Sequence, residues 1–425
     1  MSSRFRLSLA VVVSLVSPLV LRAELSPEEA KIAAFIDGQR ENFVRDLEAA
    51  VKIDSATENF VGVRAMSDFF GAQLRELGFD ARFVPLPAET KRAGHLVAER
   101  KGGRGKRVLL IGHLDSVLPG GTFRLEGDKT YGAGASDIKG GDLVMIYALK
   151  ALHAAGALDD TQLIVVMTGD EEAPGQPLVL SRKDLWEAAK RSDVALAFEG
   201  AIGHTATIAR RGIVSWELEV QGATGHSSGI FADHVGSGAV FEMARILAEF
   251  HTELRKMDGI TCNPALVVGG TDVALERTGG QATGKGNIIA QRALVNGDLR
   301  FMSRAQKEEA QAKMQAIVAK HLPRTSAELR FLGDSYPAME ATAENQALLR
   351  QLDAVSRDLG YGEVKAYDPK SRGAGDASFV SPPLPTLDGM GASGRGAHAP
   401  GEYMDLANMP EMVKRTAVLI YRLTR

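Results

Sequence analysis

The 425-residue sequence lacks several features that mark particular classes of protein. It has a single cysteine, Cys262, so it cannot form an internal disulfide, and a chain of this length can bury a large core without one. Its formal charge of −3 gives no reason to expect a nucleic-acid partner. The sequence also has no internal repeat and no long low-complexity tract. What remains is the composition of a soluble globular protein with more than one domain.

The N-terminal residues differ from the rest of the chain. Two arginines precede an apolar run over residues 7–21, and the small residue Ala23 is followed by a polar stretch. This is the pattern of a secretory signal peptide. The run is short for a membrane span and contains Pro18, which argues against an uncleaved anchor. We therefore predict export to the periplasm or the medium, with no stable membrane insertion after cleavage.

Apolar runs and helical patterns alternate along most of the chain. Residues 108–111 and 163–167 are continuously apolar, as strands buried on both faces are. From Arg211 the pattern changes, and residues 213–220 alternate with period two, which indicates strands with one exposed face. We predict an α/β catalytic domain, with a mixed sheet flanked by helices, that is interrupted by a smaller α+β domain. The predicted segments are a signal peptide at 1–23, the catalytic domain at 24–210 and 337–425, and the inserted domain at 211–336.

Residues that can ligate metals or move protons follow the predicted strands where these end. In open α/β sheets ligands bind at the carboxyl ends of the strands, so side chains that are distant in sequence converge there. Two imidazoles and three carboxylates suit a pair of divalent ions, with zinc as the first candidate and manganese or cobalt as alternatives. The candidate ligands are His113, Asp137, Glu172, Glu199 and His398.

Two further acids accompany these ligands. Asp115 follows His113 by two residues, so its side chain points the same way and can accept the ring N–H that a metal does not use. Glu171 and Glu172 suit a division of labour in which one ligates a metal and the other is the general base. Spacing leaves open which does which. Each residue alone has an ordinary explanation, such as an exposed acid pair, but their joint position at the strand ends favours one site.

These motifs together resemble the dizinc metallopeptidases that include glutamate carboxypeptidase, aminoacylase, acetylornithine deacetylase and succinyl-diaminopimelate desuccinylase. The resemblance covers essentially the whole mature chain. It implies a zinc-peptidase-like catalytic domain and a ferredoxin-like insert that serves as a dimerisation or lid domain. The implied roles are Asp137 as the ligand that bridges both ions, with a cis peptide bond after it, Glu172 and His398 as ligands of one ion, His113 and Glu199 as ligands of the other, and Glu171 as general base.

The resemblance also implies substrate contacts from the inserted domain. His226 matches a histidine that reaches the substrate carbonyl, often across a dimer, while Asn287 and Arg300 match positions that contact the substrate. An arginine can grip a terminal carboxylate through two hydrogen bonds, although Arg300 also fits a plain charge on a strand surface. Some relatives have an arginine just before the proline that follows the insert, where this chain has Tyr336. That departure argues against a glutamate-type substrate.

The sequence thus predicts an exported metallo-carboxypeptidase that acts on a small peptide or an N-acyl amino acid. An N-acyl amino acid deacylase is the alternative within enzymes. A non-catalytic binding protein on the same fold is the alternative outside them, and such a protein would be expected to lack ligands or the base, none of which is missing here. The resemblance suggests a homodimer as the assembled state.

Overall fold

The computed structural model describes residues 25–276 and 278–425, so the predicted signal peptide lies outside the described residues. The helices are α1 (Pro27–Asp37), α2 (Arg40–Lys52), α3 (Phe60–Glu76), α4 (Lys139–Ala154), α5 (Leu178–Ser181), α6 (Lys183–Ala189), α7 (Gly238–Leu254), α8 (Arg304–Val318), α9 (Ala343–Asp358), α10 (Ala377–Val380) and α11 (Met409–Leu423). The strands are β1 (Asp80–Pro85), β2 (Gly94–Arg100), β3 (Arg104–His113), β4 (Arg124–Glu126), β5 (Lys129–Tyr131), β6 (Thr161–Thr168), β7 (Val194–Ala197), β8 (Thr205–Ala206), β9 (Gly212–Gly222), β10 (Thr261–Gly270), β11 (Asp272–Leu275), β12 (Gly280–Thr283), β13 (Arg292–Phe301), β14 (Thr325–Tyr336), β15 (Lys365–Ala366), β16 (Thr386–Leu387), β17 (Gly394–Arg395) and β18 (Tyr403–Asp405).

A six-stranded mixed sheet forms the centre of the catalytic domain. Its order is β1-β2-β6-β3-β7-β16, in which β6, β3, β7 and β16 run parallel and the other two pairings are antiparallel. The parallel strands are joined by helices that cover the sheet, as crossover connections require. The predicted mixed sheet flanked by helices is confirmed.

The two faces of this sheet bury different helices. Along β3, Val108 and Leu110 pack into one core, whereas Leu109 and Ile111 pack into the other. The first core takes in α2, α3, α4 and α11, and the second takes in α6 and α10. A strand buried on both faces has no solvent-exposed face, which explains why the sequence of β3 is continuously apolar over these residues. Within the described residues, no helix is both long and apolar enough to cross a bilayer.

The segment from β9 to β14, which we call the inserted domain, has its own sheet and core. Its antiparallel sheet has the order β10-β13-β9-β14, and α7 and α8 pack on one face. The chain order β9-α7-β10-β13-α8-β14 with this strand order is the ferredoxin-like arrangement. Trp216 and Leu218 on β9 point into the core while Ser215 is exposed, which accounts for the period of two in the sequence.

Candidate active site

Three parallel neighbours of the central sheet deliver acids and a histidine to one edge. His113 is the last residue of β3, Glu171 and Glu172 follow β6 after a short turn, and Glu199 follows β7. Because β3 lies between β6 and β7 and pairs in parallel with both, their carboxyl ends meet at one edge. The convergence expected from the sequence therefore exists in the fold.

Asp137 lies between two histidines. Its Oδ1 is 3.4 Å from Nε2 of His113, and its Oδ2 is 3.1 Å from Nε2 of His398. The same nitrogen of His113 is 3.7 Å from Oε1 of Glu199, and that of His398 is 3.2 Å from Oε2 of Glu172. The five side chains thus form two sets of three donors that share the Asp137 carboxylate.

The donor atoms suit metal ions. Nε2 of His113, Oδ1 of Asp137 and Oε1 of Glu172 are buried and have no hydrogen-bond partner. Buried polar atoms are normally paired, so three orphaned donors directed at one space indicate a missing cationic partner. Ligand atoms of these three residues lie within 4.8 Å of one another. Imidazole and carboxylate donors shared by one bridging carboxylate fit a pair of divalent ions such as zinc.

The backbone at His398 is held in an unfavourable conformation. Its φ is +65°, in the left-handed region that non-glycine residues rarely adopt, and it stands in a loop between Gly396 and Gly401, both with positive φ. Such a conformation costs about 1–2 kcal/mol and persists where the surroundings impose it, most often at functional sites. The loop thereby turns a half-exposed imidazole toward Asp137.

Both histidines bind protons strongly in the metal-free protein. Hydrogen bonds to Asp137 and then to Glu172 raise the pKa of His398 to about 10. Burial opposes a charge on His113, but the neighbouring carboxylates of Asp115 and Asp137 outweigh burial and raise its pKa. The His398 ring is therefore protonated at neutral pH when no metal is bound.

Zinc binding to the metal-free protein is expected to release protons at neutral pH. A protonated imidazole cannot ligate a metal, so an ion that binds at His398 must displace its proton. Because the raised pKa keeps the His398 ring protonated below about pH 10, the apparent affinity should rise with pH by about tenfold per unit for each proton released. Isothermal titration calorimetry in two buffers of different protonation enthalpy measures the proton count. Binding without proton release at neutral pH would contradict the assignment of these ligands.

Asp115 connects His113 to the glutamate pair. Its buried carboxylate accepts hydrogen bonds from the backbone N–H groups of Glu171 at 3.0 Å and Glu172 at 3.1 Å, and from the hydroxyl of Thr57 at 2.7 Å. Nδ1 of His113 lies 3.1 Å from its carbonyl oxygen and 3.4 Å from its Oδ1. Asp115 thus sets the orientation of one candidate ligand, His113, and of the turn that carries Glu171 and Glu172.

Glu402 fixes the loop that carries Asp137. Its buried carboxylate accepts hydrogen bonds from the backbone N–H groups of Gly134 at 2.8 Å, Ser136 at 2.8 Å and Asp137 at 2.9 Å. The Asp137–Ile138 peptide bond that follows is cis, as the resemblance implied. Glu402 itself lies four residues after His398, so one side chain ties the loops of two ligands together. Glu402 was not predictable from the sequence, because nothing in its sequence neighbourhood distinguishes it from an exposed acid.

Arg210 performs a similar task for Glu199. It is buried, forms an ion pair with Asp388, and donates to the carbonyl oxygen of Ala374 at 2.7 Å. Its Nη2 lies 3.5 Å from Oε2 of Glu199. Burial raises the pKa of Glu199 to about 7, against the opposing charge of Arg210. Arg210 was not predictable from the sequence because Asp388 and Ala374, which hold it, lie 178 and 164 residues further along the chain.

A buried ion network underlies the glutamate turn. Arg182 is fully buried and donates to Oδ1 of Asp170 at 2.6 Å and to Oδ1 of Asp376 at 2.8 Å. Thr168, the last residue of β6, donates its hydroxyl to Oδ2 of Asp376 at 2.6 Å. Asp170 directly precedes Glu171, so this network fixes the backbone from which both glutamates project.

The predicted substrate residues lie on the inserted domain. His226 is exposed, with Nδ1 2.8 Å from the hydroxyl of Ser228. Asn287 is also exposed, and its backbone carbonyl oxygen accepts the N–H of Ser227 at 2.9 Å. His226 and Asn287 are therefore neighbours. Arg300 on β13 is half-buried and donates to Asp298 at 3.2 Å. The hydrogen bonds described for all three are to residues of the inserted domain.

Comparison with known proteins identifies the family of this site. The family described as Peptidase family M20/M25/M40 matches residues 109–422, which include every proposed ligand. The chain belongs to this peptidase family. The M20 chain is 27% identical over 395 residues to carboxypeptidase G2 from Pseudomonas sp. (strain RS-16). The matched region covers 89% of this chain and 88% of that protein.

Two further similarities extend the comparison. The M20 chain is 29% identical over 343 residues to a succinyl-diaminopimelate desuccinylase from Novosphingobium aromaticivorans, with 76% of this chain and 84% of that protein covered. Its fold is similar to that of a solved dinuclear metal-binding peptidase of the M20 family from Bacillus subtilis, with a TM-score of 0.60 at 14% identity, over 91% of this chain and 99% of that one. The zinc-peptidase-like fold predicted from the sequence is thereby confirmed.

Proposed function

We propose that the M20 chain hydrolyses an amide bond of a peptide or an N-acyl amino acid with two divalent ions, most readily zinc. The observation that carries this proposal is the position of Asp137 between two complete donor sets, beside a further carboxylate at Glu171. Ligand atoms of Glu171, His113 and Glu199 lie within 4.8 Å of one another. The relative from Bacillus subtilis, whose fold is similar, is described as dinuclear.

Within this site the roles of the two glutamates differ by position. Oε2 of Glu172 faces His398 and completes a donor set, whereas Glu171 stands outside that pair. The bound ions would polarise the substrate carbonyl and lower the pKa of water at the site. Glu171 takes a proton from the attacking water and then gives it to the nitrogen of the leaving amine. Burial, and after it the charge of Glu199, raise the pKa of the Glu171 carboxyl, which suits a group that must both accept and donate a proton.

A metallo-carboxypeptidase is the first choice of substrate class. Support comes from the similarity to carboxypeptidase G2 over 89% of the chain. The similarity to a desuccinylase supports the alternative, an N-acyl amino acid deacylase. Both reactions leave an amino acid with a free carboxylate, for which Arg300 is the candidate clamp and Asn287 a neutral donor. The two substrate classes differ in the group on the acyl side of the scissile bond, which is an amino acid or peptide for a carboxypeptidase and a simple acyl group for a deacylase.

Hydrolysis of matched substrates distinguishes the two classes. The purified protein, with and without added zinc, is given dipeptides and N-acetyl or N-succinyl amino acids that share the same C-terminal residue. A carboxypeptidase is expected to release that residue fastest from dipeptides and N-acylated peptides, whereas a deacylase would prefer the simple acyl groups. Absence of zinc-dependent release from every substrate would contradict the proposed function.

We further infer that the chain works as a homodimer formed through the inserted domain. Phe231 and Phe241 are 67% and 52% exposed, and their rings contact each other with centroids 5.6 Å apart. Val240 and Ile288 extend this apolar patch, and Ile288 is bridged to His226. A second copy seated on the patch would cover it and bring His226 near a partner's site. Sedimentation of the protein as a monomer at micromolar concentration would contradict the inference.

The leader supports export as a further proposal. Its evidence is the sequence pattern of residues 1–23 alone. N-terminal sequencing of the protein recovered from a periplasmic or culture fraction is expected to begin near Glu24. Recovery of an intact Met1 from the cytoplasm would overturn it.

A further inference from the structure

Tyr336 occupies the neck between the two domains. It is the last residue of β14 and pairs with Ile213 near the start of β9. The two segments that connect the inserted domain to the catalytic domain therefore lie side by side at this point. Just beyond it, Arg210 and Met339 form an antiparallel bridge that continues the neck into the catalytic domain. Any change in the position of the inserted domain must therefore pass through residues next to Tyr336.

The Tyr336 side chain reaches the backbone of the proposed base. Its hydroxyl donates to the carbonyl oxygen of Glu171 at 2.9 Å and accepts from Nη2 of Arg182 at 3.2 Å. Its ring packs against Phe379, with centroids 4.8 Å apart. Burial raises the pKa of Tyr336 well above its ordinary value, so the phenol keeps the proton that it donates.

Glu171 is consequently held on both sides of its Cα atom. Its N–H is bound by the carboxylate of Asp115 and its carbonyl by the phenol of Tyr336. Fixing both flanking peptide groups sets the direction in which the side chain leaves the backbone. Catalysis is sensitive to displacements of this kind, because a shift of about 1 Å in a reacting group can cost about a hundredfold in rate.

We propose that Tyr336 is a positioning residue. Its hydroxyl links the neck of the inserted domain to the peptide of Glu171, so the position of that domain affects the orientation of the Glu171 carboxylate. The proposal rests on the proposed function of Glu171. The hydrogen bonds of the Tyr336 hydroxyl go to Arg182 and to the backbone of Glu171, not to the ligands of the two donor sets. Its effect is therefore on turnover rather than on metal binding.

Replacing Tyr336 with phenylalanine tests this role. The variant keeps the ring against Phe379 but loses both hydrogen bonds of the hydroxyl. We expect kcat to fall by about 10–100-fold, the range seen when groups that orient catalytic residues are removed, with KM changed by less than about threefold and metal content unchanged. The readouts are kcat and KM on the preferred amide substrate and metal content by mass spectrometry.

Trp186→Phe is the matched control. Trp186 packs against the same Phe379 ring and donates to the Phe379 carbonyl at 3.0 Å, so its variant loses one hydrogen bond from the same aromatic cluster. Tyr336→Phe with the same kcat as Trp186→Phe, or with lost metal, would overturn the proposal, because the hydroxyl would then have only a structural role. Glu171→Gln measured in parallel separates the two hypotheses: if that variant is active the base assignment fails, whereas an inactive Glu171→Gln with a fully active Tyr336→Phe refutes the positioning role alone.

Discussion

Replacing Glu171 with glutamine is expected to abolish nearly all turnover while both metal ions stay bound. Glutamine has the same shape but cannot accept the proton of the attacking water, and general acid–base groups contribute about 10²–10⁴-fold in rate. The five donors of the two sets are untouched by this change, because Glu172 and not Glu171 completes the set with His398. The measurements are kcat on an amide substrate and metal content per chain.

Glu172→Gln provides the comparison. This variant weakens one donor set, so it should lose metal and activity together, and added zinc should restore part of the activity. The pair of variants therefore separates a proton carrier from a ligand. Full activity in Glu171→Gln, or loss of its metal, would show that the two glutamates have the opposite roles or share one.

Replacing Arg182 with methionine is expected to give the largest loss of stability. The change removes the cation that Asp170 and Asp376 share and leaves two carboxylates buried without compensation. Removing one member of a buried ion group costs about 3–5 kcal/mol, because the remaining charge cannot return to water. Urea unfolding monitored by circular dichroism measures the change in free energy of unfolding.

An exposed ion pair supplies the control for this second prediction. Arg191 donates to Glu99 and its side chain is 46% exposed, so Arg191→Met should cost less than about 1 kcal/mol. If the two methionine variants had equal stability, the carboxylates beneath the glutamate turn would not depend on Arg182.

The central sheet, and the position of His113, Glu172 and Glu199 at its edge, were predictable because their signals are local. The apolar residues of β3 and β6 stand next to His113 and to the glutamate pair in the sequence, and parallel strand ends must meet at one edge. The convergence of these strand ends can be expected without knowledge of contacts between residues that are distant in sequence. The division of labour between Glu171 and Glu172 was not predictable from spacing, since it depends on where His398 lies in space.

The supporting residues could not be predicted for the opposite reason. Glu402 binds a loop that lies 265 residues or more away in sequence, and the Tyr336 hydroxyl reaches a carbonyl 165 residues away. In the sequence each of them looks like an isolated polar residue on a strand or turn. Their roles follow from tertiary contacts that no periodicity encodes.

The inserted domain also determines when the metal centre can be made. His113, Asp137, Glu172 and Glu199 precede that domain in the chain, whereas His398 follows it. During synthesis on the ribosome, the nascent chain has one donor set long before it has the other. On the proposed ligand assignment, the second ion would bind only after the whole insert has been translated and the two halves of the catalytic domain have joined. Maturation of this enzyme would therefore end, rather than begin, with a complete pair of ions.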